Sequence, residues 1–153
     1  MQLISLSAAI TLTDISERTF WRKFADGSMD RIKVNGKVMI PFDSIKTYFC
    51  LPLQAEDLVV LESADAGDAE AQNEMALIFL SHAKPRNAMY WLELAARQDY
   101  ADAINLLGQC YMGVIGVAKD ENTGMMWLAK AASLGHAISL LQMQSVRDKC
   151  ATH

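Results

Sequence analysis

The second half of this chain repeats itself at a spacing that few folds can accommodate. Three alanine-containing blocks recur at 66–71, 98–103 and 134–139, and each is expected to start a new helix. Their alanines Ala69, Ala101 and Ala137 are 32 and 36 residues apart. Trp91 and Trp127 are again separated by 36 residues. A fixed period of this length, with one loop of variable size, is typical of stacked helical hairpins. We therefore predict that the second half of the chain is an α-helical repeat array.

The repeats combine small and large residues in the way that close packing of antiparallel helices requires. Alanine pairs at 95–96 and 131–132 let two helices approach, while Trp91 and Trp127 supply apolar area between neighbouring hairpins. We expect both tryptophans to be core residues. Four glycines are expected where a helix ends or where a backbone comes near: Gly67, Gly108, Gly113 and Gly116. Asp120 is expected to cap the helix that begins near Glu121.

Residues 101–137 resemble a Sel1-like repeat, a relative of the tetratricopeptide repeat. Its pattern is carried by Ala103, Leu107, Gly108 and Tyr111, then Gly113, Gly116, Val117 and Asp120, then Trp127, Ala131, Ala132 and Gly135. Residues 69–98 resemble a shortened copy without the glycine loop, and the resemblance extends over about residues 64–142. Asp99 and Gly124 depart from the pattern. We expect Asp99 to adopt the left-handed backbone conformation, and we expect Gly124 to weaken the order of its helix slightly. The resemblance implies a non-catalytic array that binds another protein.

The first helix of each hairpin is the expected contact with that protein partner. The predicted protein-binding residues are the polar, leucine or aromatic positions Asn73, Leu77, Asn105, Gln109 and Tyr111. Only two repeats and a trailing helix near 136–148 are present, which is close to the lower limit for a free-standing array. We expect a further helix within residues 54–67 to cap its start. We also expect either support from the first half of the chain or a homodimer.

Charge and composition divide the chain near Pro52. Residues 1–54 contain seven lysines and arginines against five acidic residues, a net charge of +2, whereas residues 55–153 contain seven against thirteen, a net charge of −6. Proline disfavours a helix at the residue before it, so a junction is expected here. We predict two domains, residues 1–52 and residues 53–153, with different binding partners.

The first domain has the pattern of two short helices followed by a hairpin. Ser5 and Ser16 are predicted N-caps, and Asp14 is placed in the turn between the two helices. The dipeptide 35–36, Asn-Gly, is the strongest signal for a two-residue hairpin turn. Residues 42–49 are predicted to form a closing third helix. This order of elements is the layout of a winged helix-turn-helix.

Residues 3–51 resemble the excisionase and MerR-type domains, with Ser16, Arg18, Thr19, Trp21, Arg22 and Gly27 on the family pattern. In that family the second helix enters the major groove of double-stranded DNA and the wing contacts its backbone or minor groove. The resemblance implies the DNA-binding residues Arg18, Thr19, Arg22, Lys23, Arg31, Lys33 and Lys37. A winged domain that contacts protein is the alternative, because a net charge of +2 is low for a DNA-binding domain.

The sequence contains no recognised catalytic or metal-binding motif. His82, His136 and His153 are isolated, and the three cysteines lack metal-ligand spacing, so we predict no enzyme, no metal and no cofactor. No apolar run approaches the roughly 18–20 residues of a membrane span, and the cysteine pattern fits reduced cytoplasmic thiols. We predict a mainly α, bacterial, cytoplasmic transcription regulator that binds DNA and a protein. The alternative is an adaptor in which both modules bind proteins.

Overall fold

The computed structural model describes residues 2–113 and 119–151. They form two units that divide after Ala66. The first unit contains β1 (Leu3–Ser5), α1 (Leu6–Thr13), α2 (Glu17–Ala25), β2 (Ile32–Val34), β3 (Lys37–Pro41) and α3 (Ala55–Asp65). The second contains α4 (Ala69–Ser81), α5 (Pro85–Ala96), α6 (Ala101–Tyr111), α7 (Glu121–Ser133) and α8 (Ala137–Ala151). The predicted mainly helical fold is confirmed.

Serine caps and one left-handed residue define the first two helices. The Ser5 hydroxyl accepts a hydrogen bond from the Ala8 amide at 3.1 Å, and the Ser16 hydroxyl accepts one from the Thr19 amide at 3.2 Å. Asp14, with φ 56°, ends α1 and turns the chain toward α2. Both helices and the turn between them lie where the sequence predicts them.

A three-stranded antiparallel sheet in the order β1-β3-β2 completes this part of the first unit. Ile4 pairs with Ile40 across β1 and β3, and both side chains are fully buried. Asn35 and Gly36 have φ 49° and 79°, as a type I′ turn requires, so the predicted hairpin is confirmed. Strand β1 was not predicted, because three residues are too few to show an alternating pattern.

The predicted closing helix over residues 42–49 is wrong. Phe42–Ser44 and Lys46–Tyr48 form two separate 3₁₀ turns, interrupted at Ile45, whose φ is −120°. A helix of eight residues is marginal without tertiary support. Here the burial of Ile45 and the contact between the Phe42 and Phe49 rings, 5.1 Å apart, favour a more extended path.

Helix α3 is present within the residues where a helix was expected, but it lies in the first unit. Asp65 accepts hydrogen bonds from the backbone nitrogen and the hydroxyl of Ser5, at 2.8 and 2.6 Å. The observed division after Ala66 therefore differs from the predicted boundary after residue 52. A change in composition along the chain does not reveal a contact between residues as distant in sequence as Ser5 and Asp65.

Helices α4 and α5 form one hairpin, α6 and α7 form a second, and α8 packs against α7. The predicted helix starts at Ala69, Ala101 and Ala137 are confirmed. Asp120 caps α7 as predicted, because its carboxylate accepts a hydrogen bond from the Thr123 amide at 3.1 Å. Between the hairpins, Asp99 adopts the expected left-handed conformation with φ 58°.

The core of the second unit is built from aromatic and aliphatic side chains that include Phe79, Trp91 and Leu92, all fully enclosed. The expectation that both tryptophans are core residues is confirmed for Trp91 and wrong for Trp127, which is half-buried. One side of the Trp127 ring lines an open groove beside Arg97. Trp91 and Trp127 occupy equivalent positions of the repeat, but the side chains around them differ.

Helices α6 and α7 cross at two glycines. A Cβ atom on Gly108 would lie 2.7 Å from Leu128 Cδ2, so of the two roles expected for this glycine the structure shows the close approach. A Cβ atom on Gly124 would lie 2.8 Å from Met112 Cγ. Gly124 therefore permits tight packing, and the slight weakening of helix order expected at this residue stays a prediction. Gly116 and Val117 of the predicted glycine loop lie outside the described residues.

Candidate functional site

The first helices of the two hairpins, α4 and α6, carry a cluster of carboxylates around Tyr100. Glu70, Glu74 and Asp102 are exposed. Desolvation raises the pKa of the Tyr100 phenol, and the neighbouring carboxylates raise it further because they would repel a phenolate. Leu77, 45% exposed, lies three residues beyond Glu74 on the same helix face. We call the following residues the acidic surface: Asp68, Glu70, Glu74, Leu77, Tyr100 and Asp102.

The structure does not bring all five predicted protein-binding residues to this surface. Leu77 belongs to it, and Gln109 and Tyr111 are half-buried. Asn73 and Asn105 are only 7% and 3% exposed. Their burial leaves little of either side chain for a partner to contact, so binding through these two asparagines is not supported by the geometry.

Asn105 instead joins α6 to α8. Its Nδ2 donates to Ser139 Oγ at 2.6 Å and to Gln142 Oε1 at 3.0 Å, and its Oδ1 accepts a hydrogen bond from Gln109 Nε2 at 2.6 Å. A buried amide with this many partners fixes the register of two helices, because each lost hydrogen bond would leave a polar group without water. The repeat period does not reveal this network, since the partners Ser139 and Gln142 lie a full repeat away.

His136, expected to be isolated, lies at the start of α8 within the same network. Its Nδ1 accepts a hydrogen bond from the Ser139 amide at 3.2 Å, so Nε2 carries the proton and donates to Asp102 Oδ1 at 3.1 Å. Aspartate, histidine and serine are the residue types of a hydrolytic relay. Here, however, Ser139 is fully buried and its hydroxyl accepts from Asn105. The arrangement caps and orients α8, and it offers no accessible nucleophile.

Replacing Asn105 by alanine is expected to lower the free energy of unfolding by about 1–3 kcal/mol, because three polar partners lose a hydrogen bond. The equivalent residue of the first hairpin, Asn73, has a buried Oδ1 with no hydrogen-bond partner in the described part of the chain. Asn73→Ala should therefore cost clearly less. Parallel urea titrations of the two variants measure the difference, and equal losses would contradict a stabilising role for the Asn105 network.

Tyr111 and Trp127 meet in a groove of about 220 Å³ whose other lining residues are Glu93, Arg97 and Leu107. The Lys130 ammonium lies 5.8 Å from the centre of the Trp127 ring and 3.2 Å from an Asp99 carboxylate oxygen. The groove thus combines an accessible aromatic ring with side chains of both charges.

In the first unit, α2 exposes two of the predicted DNA-binding residues. Arg18 and Arg22 are one helical turn apart and point to the same side. Among the described residues, neither side chain is within 4.0 Å of a carboxylate. Thr19 is partly buried, and its hydroxyl is 2.9 Å from that of Ser16 in the helix cap.

The other predicted DNA-binding cations are arranged in two ways. Arg31 lies over the Trp21 ring at 5.2 Å, and the Lys23 ammonium lies 5.1 Å from the centre of the Tyr48 ring. Lys33 and Lys37 are exposed on the hairpin. The register pairs Lys33 with Val38 and Val34 with Lys37, so the two lysines project from opposite faces of the strands.

A reactive thiol, a metal site and a membrane-spanning helix have limited support in the described residues. Burial raises the pKa of the Cys110 thiol to about 11, which keeps it protonated and unreactive at neutral pH. Within residues 2–113 and 119–151, no three histidine, cysteine or acidic side chains are grouped as metal ligands would be. None of the described helices combines the length and apolar character needed to cross a membrane.

Comparison with known proteins identifies the repeats. Residues 69–100 and residues 101–136 match the Sel1 repeat family, so the predicted repeat identity is confirmed for these residues. The crystal structure of a Sel1 repeat protein from Oxalobacter formigenes aligns with a TM-score of 0.52 at 21% sequence identity, over 83% of this chain and 84% of that chain. This likeness shows the fold. The winged-helix resemblance of residues 3–51 stays a prediction.

Proposed function

We propose that the two Sel1 repeats, residues 69–136, bind a basic segment of another protein on the acidic surface. The supporting observation is the grouping of exposed carboxylates around Tyr100, beside the exposed side chain of Leu77. Residues 55–153 carry a net charge of −6, so a positively charged partner would be attracted before it makes contact. Leu77 would then supply an apolar anchor within a charged rim.

A photo-crosslinking amino acid placed at position 77 tests this proposal in cells of the source organism. We expect one prominent cross-linked protein, and we expect Glu70→Lys together with Glu74→Lys to abolish its capture. The matched control is the same amino acid at Met126, which is 69% exposed on α7. Equal capture at both positions, or capture that survives the charge reversals, would contradict binding at the acidic surface.

A second function, binding of double-stranded DNA by the first unit, is favoured by Arg18 and Arg22 of α2, neither of which has a carboxylate within 4.0 Å among the described residues. In this proposal the exposed Arg18 and Arg22 would contact bases or phosphates, and Arg31, which lies over Trp21, would assist them. Such binding would be sensitive to salt, because contacts with phosphate release the counterions that surround DNA. A chain that binds DNA through its first unit and a protein through its repeats would be a transcription regulator. A chain that does not bind DNA would be an adaptor.

Fluorescence anisotropy of the full chain with labelled genomic duplexes distinguishes the regulator from the adaptor. We expect binding at low salt, a steep loss of affinity as salt rises, and a large loss in the variant carrying Arg18→Ala and Arg22→Ala. The control variant carries Arg86→Ala and Arg147→Ala, which remove two exposed arginines of the second unit. No binding to any duplex at low salt would leave the adaptor as the function.

A further inference from the structure

Helices α6, α7 and α8 border a pocket of about 270 Å³ in the second unit. Its apolar lining residues are Met112, Met125, Leu128 and Val146. Its polar lining residues are the uncharged Gln109, Gln142 and Ser145. Within the described part of the chain, no charged side chain lines this pocket. It therefore offers hydrogen bonds beside an apolar wall, and it favours a ligand without charge.

A chain of three amide side chains joins two of the polar lining residues. Gln109 Nε2 donates to Asn105 Oδ1 at 2.6 Å, and Asn105 Nδ2 donates to Gln142 Oε1 at 3.0 Å. Among the described residues, Gln109 Oε1 and Gln142 Nε2 have no further partner. Turning all three amides over would exchange these roles and would still leave one acceptor and one donor. An acceptor and a donor in one pocket complement another amide group.

The first hairpin shows that the repeat does not require this amide chain. The residues that correspond to Gln109 and Gln142 are Leu77 and Leu106, which lie 32 and 36 residues earlier. The buried asparagine of that hairpin, Asn73, has an Oδ1 atom without a hydrogen-bond partner in the described part of the chain. Helices α4 and α5 still pack around fully enclosed side chains. Folding of the repeat therefore does not explain the two glutamines, and a bound ligand would use the atoms that they leave free.

The size and the exposure of the pocket indicate what it can hold. Ser145 is exposed and Met125 is half-buried, so the pocket is open to solvent. Sites that enclose a free small molecule usually have about 300–1,000 Å³ and bury most of the ligand surface. A smaller, open pocket instead suits one apolar side chain of a peptide whose main chain stays at the protein surface. The main chain next to that side chain carries the N–H and C=O groups with which the two glutamines can pair.

We propose that the pocket binds a peptide segment of a partner protein through one leucine side chain, with the adjacent main-chain amide paired to Gln109 and Gln142. The apolar lining residues remove the leucine from water, which favours binding. Asn105, only 3% exposed, holds both glutamines in place and so reduces the entropy that is lost when the peptide binds. The pocket shares no residue with the acidic surface. It is therefore a further binding site, and uncharged peptides should occupy it.

Nuclear magnetic resonance of the full chain, isotopically labelled at its methionine methyl groups, tests the pocket with the uncharged peptide acetyl-Gly-Leu-Gly-amide. We expect saturable shifts of the Met112 and Met125 signals and no shift of the signal of Met75, which is buried in α4. Ser145→Phe should fill the pocket from an exposed position and raise the dissociation constant about fivefold or more. Gln144→Phe, at the neighbouring exposed residue, is the matched control and should leave the dissociation constant unchanged. An absence of saturable shifts, or equal binding by the two variants, would overturn the inference.

A matched pair of small probes tests the hydrogen bonds. N-methylisovaleramide carries the leucine side chain and one amide, and methyl isovalerate has the same shape with an ester oxygen in place of the N–H group. We expect the parent chain to bind the ester about threefold to tenfold more weakly. Gln109→Leu with Gln142→Leu installs the residues of the first hairpin and should abolish this preference, and unchanged circular dichroism would verify folding. A parent chain that binds both probes equally, or a preference that persists in the double variant, would contradict the pairing.

Two further measurements concern the occupant of the pocket. Binding of N-methylisovaleramide without binding of the peptide would assign the pocket to a small molecule and overturn the peptide as its occupant. Glu70→Lys with Glu74→Lys should leave binding of the uncharged peptide unchanged, because neither residue lines the pocket. This site and the proposed function at the acidic surface can therefore fail separately.

Discussion

Replacing Trp91 by alanine is expected to lower the free energy of unfolding of the second unit by about 3–5 kcal/mol. The indole is fully enclosed, so its loss removes a large apolar surface and leaves a cavity that the neighbouring helices cannot fill. Urea titration followed by circular dichroism measures the loss. Hydrogen exchange analysed by mass spectrometry would assign it to residues 67–151.

The repeat supplies its own control for this prediction. Trp127→Ala removes the same side chain one period later, where the ring is half-buried and lies beside Lys130. We expect a cost of about 1–2 kcal/mol. Trp91→Phe should also cost much less than alanine, because the Trp91 Nε1 is buried without a hydrogen-bond partner among the described residues. Equal effects of the two alanine variants would contradict the difference in packing.

Replacing Gly108 by valine is expected to destabilise the second unit by about 2–3 kcal/mol. A Cβ atom here would lie 2.7 and 2.8 Å from Leu128 Cδ2 and Cγ, and 3.2 Å from the Gly124 carbonyl oxygen. The side chain can yield only in part, because Leu128 is itself buried, and the backbone oxygen cannot move without shifting α7. The same urea titration gives the magnitude.

A double variant identifies the cause of that loss. Combining Gly108→Val with Leu128→Ala removes the side chain that the new atoms meet, so the two effects should be less than additive. Glu74→Val, at an exposed position of α4, controls for placing a β-branched residue in a helix and should cost under about 1 kcal/mol. Full additivity of the double variant would show that the strain lies elsewhere.

Some elements could be predicted because their determinants are close together in the chain. A serine or aspartate cap forms its hydrogen bond within three residues, as Ser5, Ser16 and Asp120 do. An Asn-Gly turn depends on two adjacent residues with positive φ. The helix predicted over residues 42–49 was wrong because its determinants are not local. Burial of Ile45 outweighed a weak local preference for helix.

The candidate surfaces were predicted less completely. Sequence periodicity placed Leu77 and Asn105 on first helices, but it could not distinguish the exposed leucine from the buried amide. That distinction depends on Ser139 and Gln142 of α8, which provide the hydrogen bonds that make burial of Asn105 favourable. The same limit applies to Lys33 and Lys37, whose opposite directions follow from the strand register.

The repeat, its period, the helix starts and the basic hairpin follow from local sequence, because small residues, caps and turns act over a few positions. Long-range packing decided that Trp91 is enclosed while Trp127 lines a groove. It also decided that α3 joins the first unit through Asp65, and that Ile138 and Leu141 face outward at the end of α8. These outcomes depend on which distant segment covers each side chain, and burial is a property of that neighbour as much as of the residue itself.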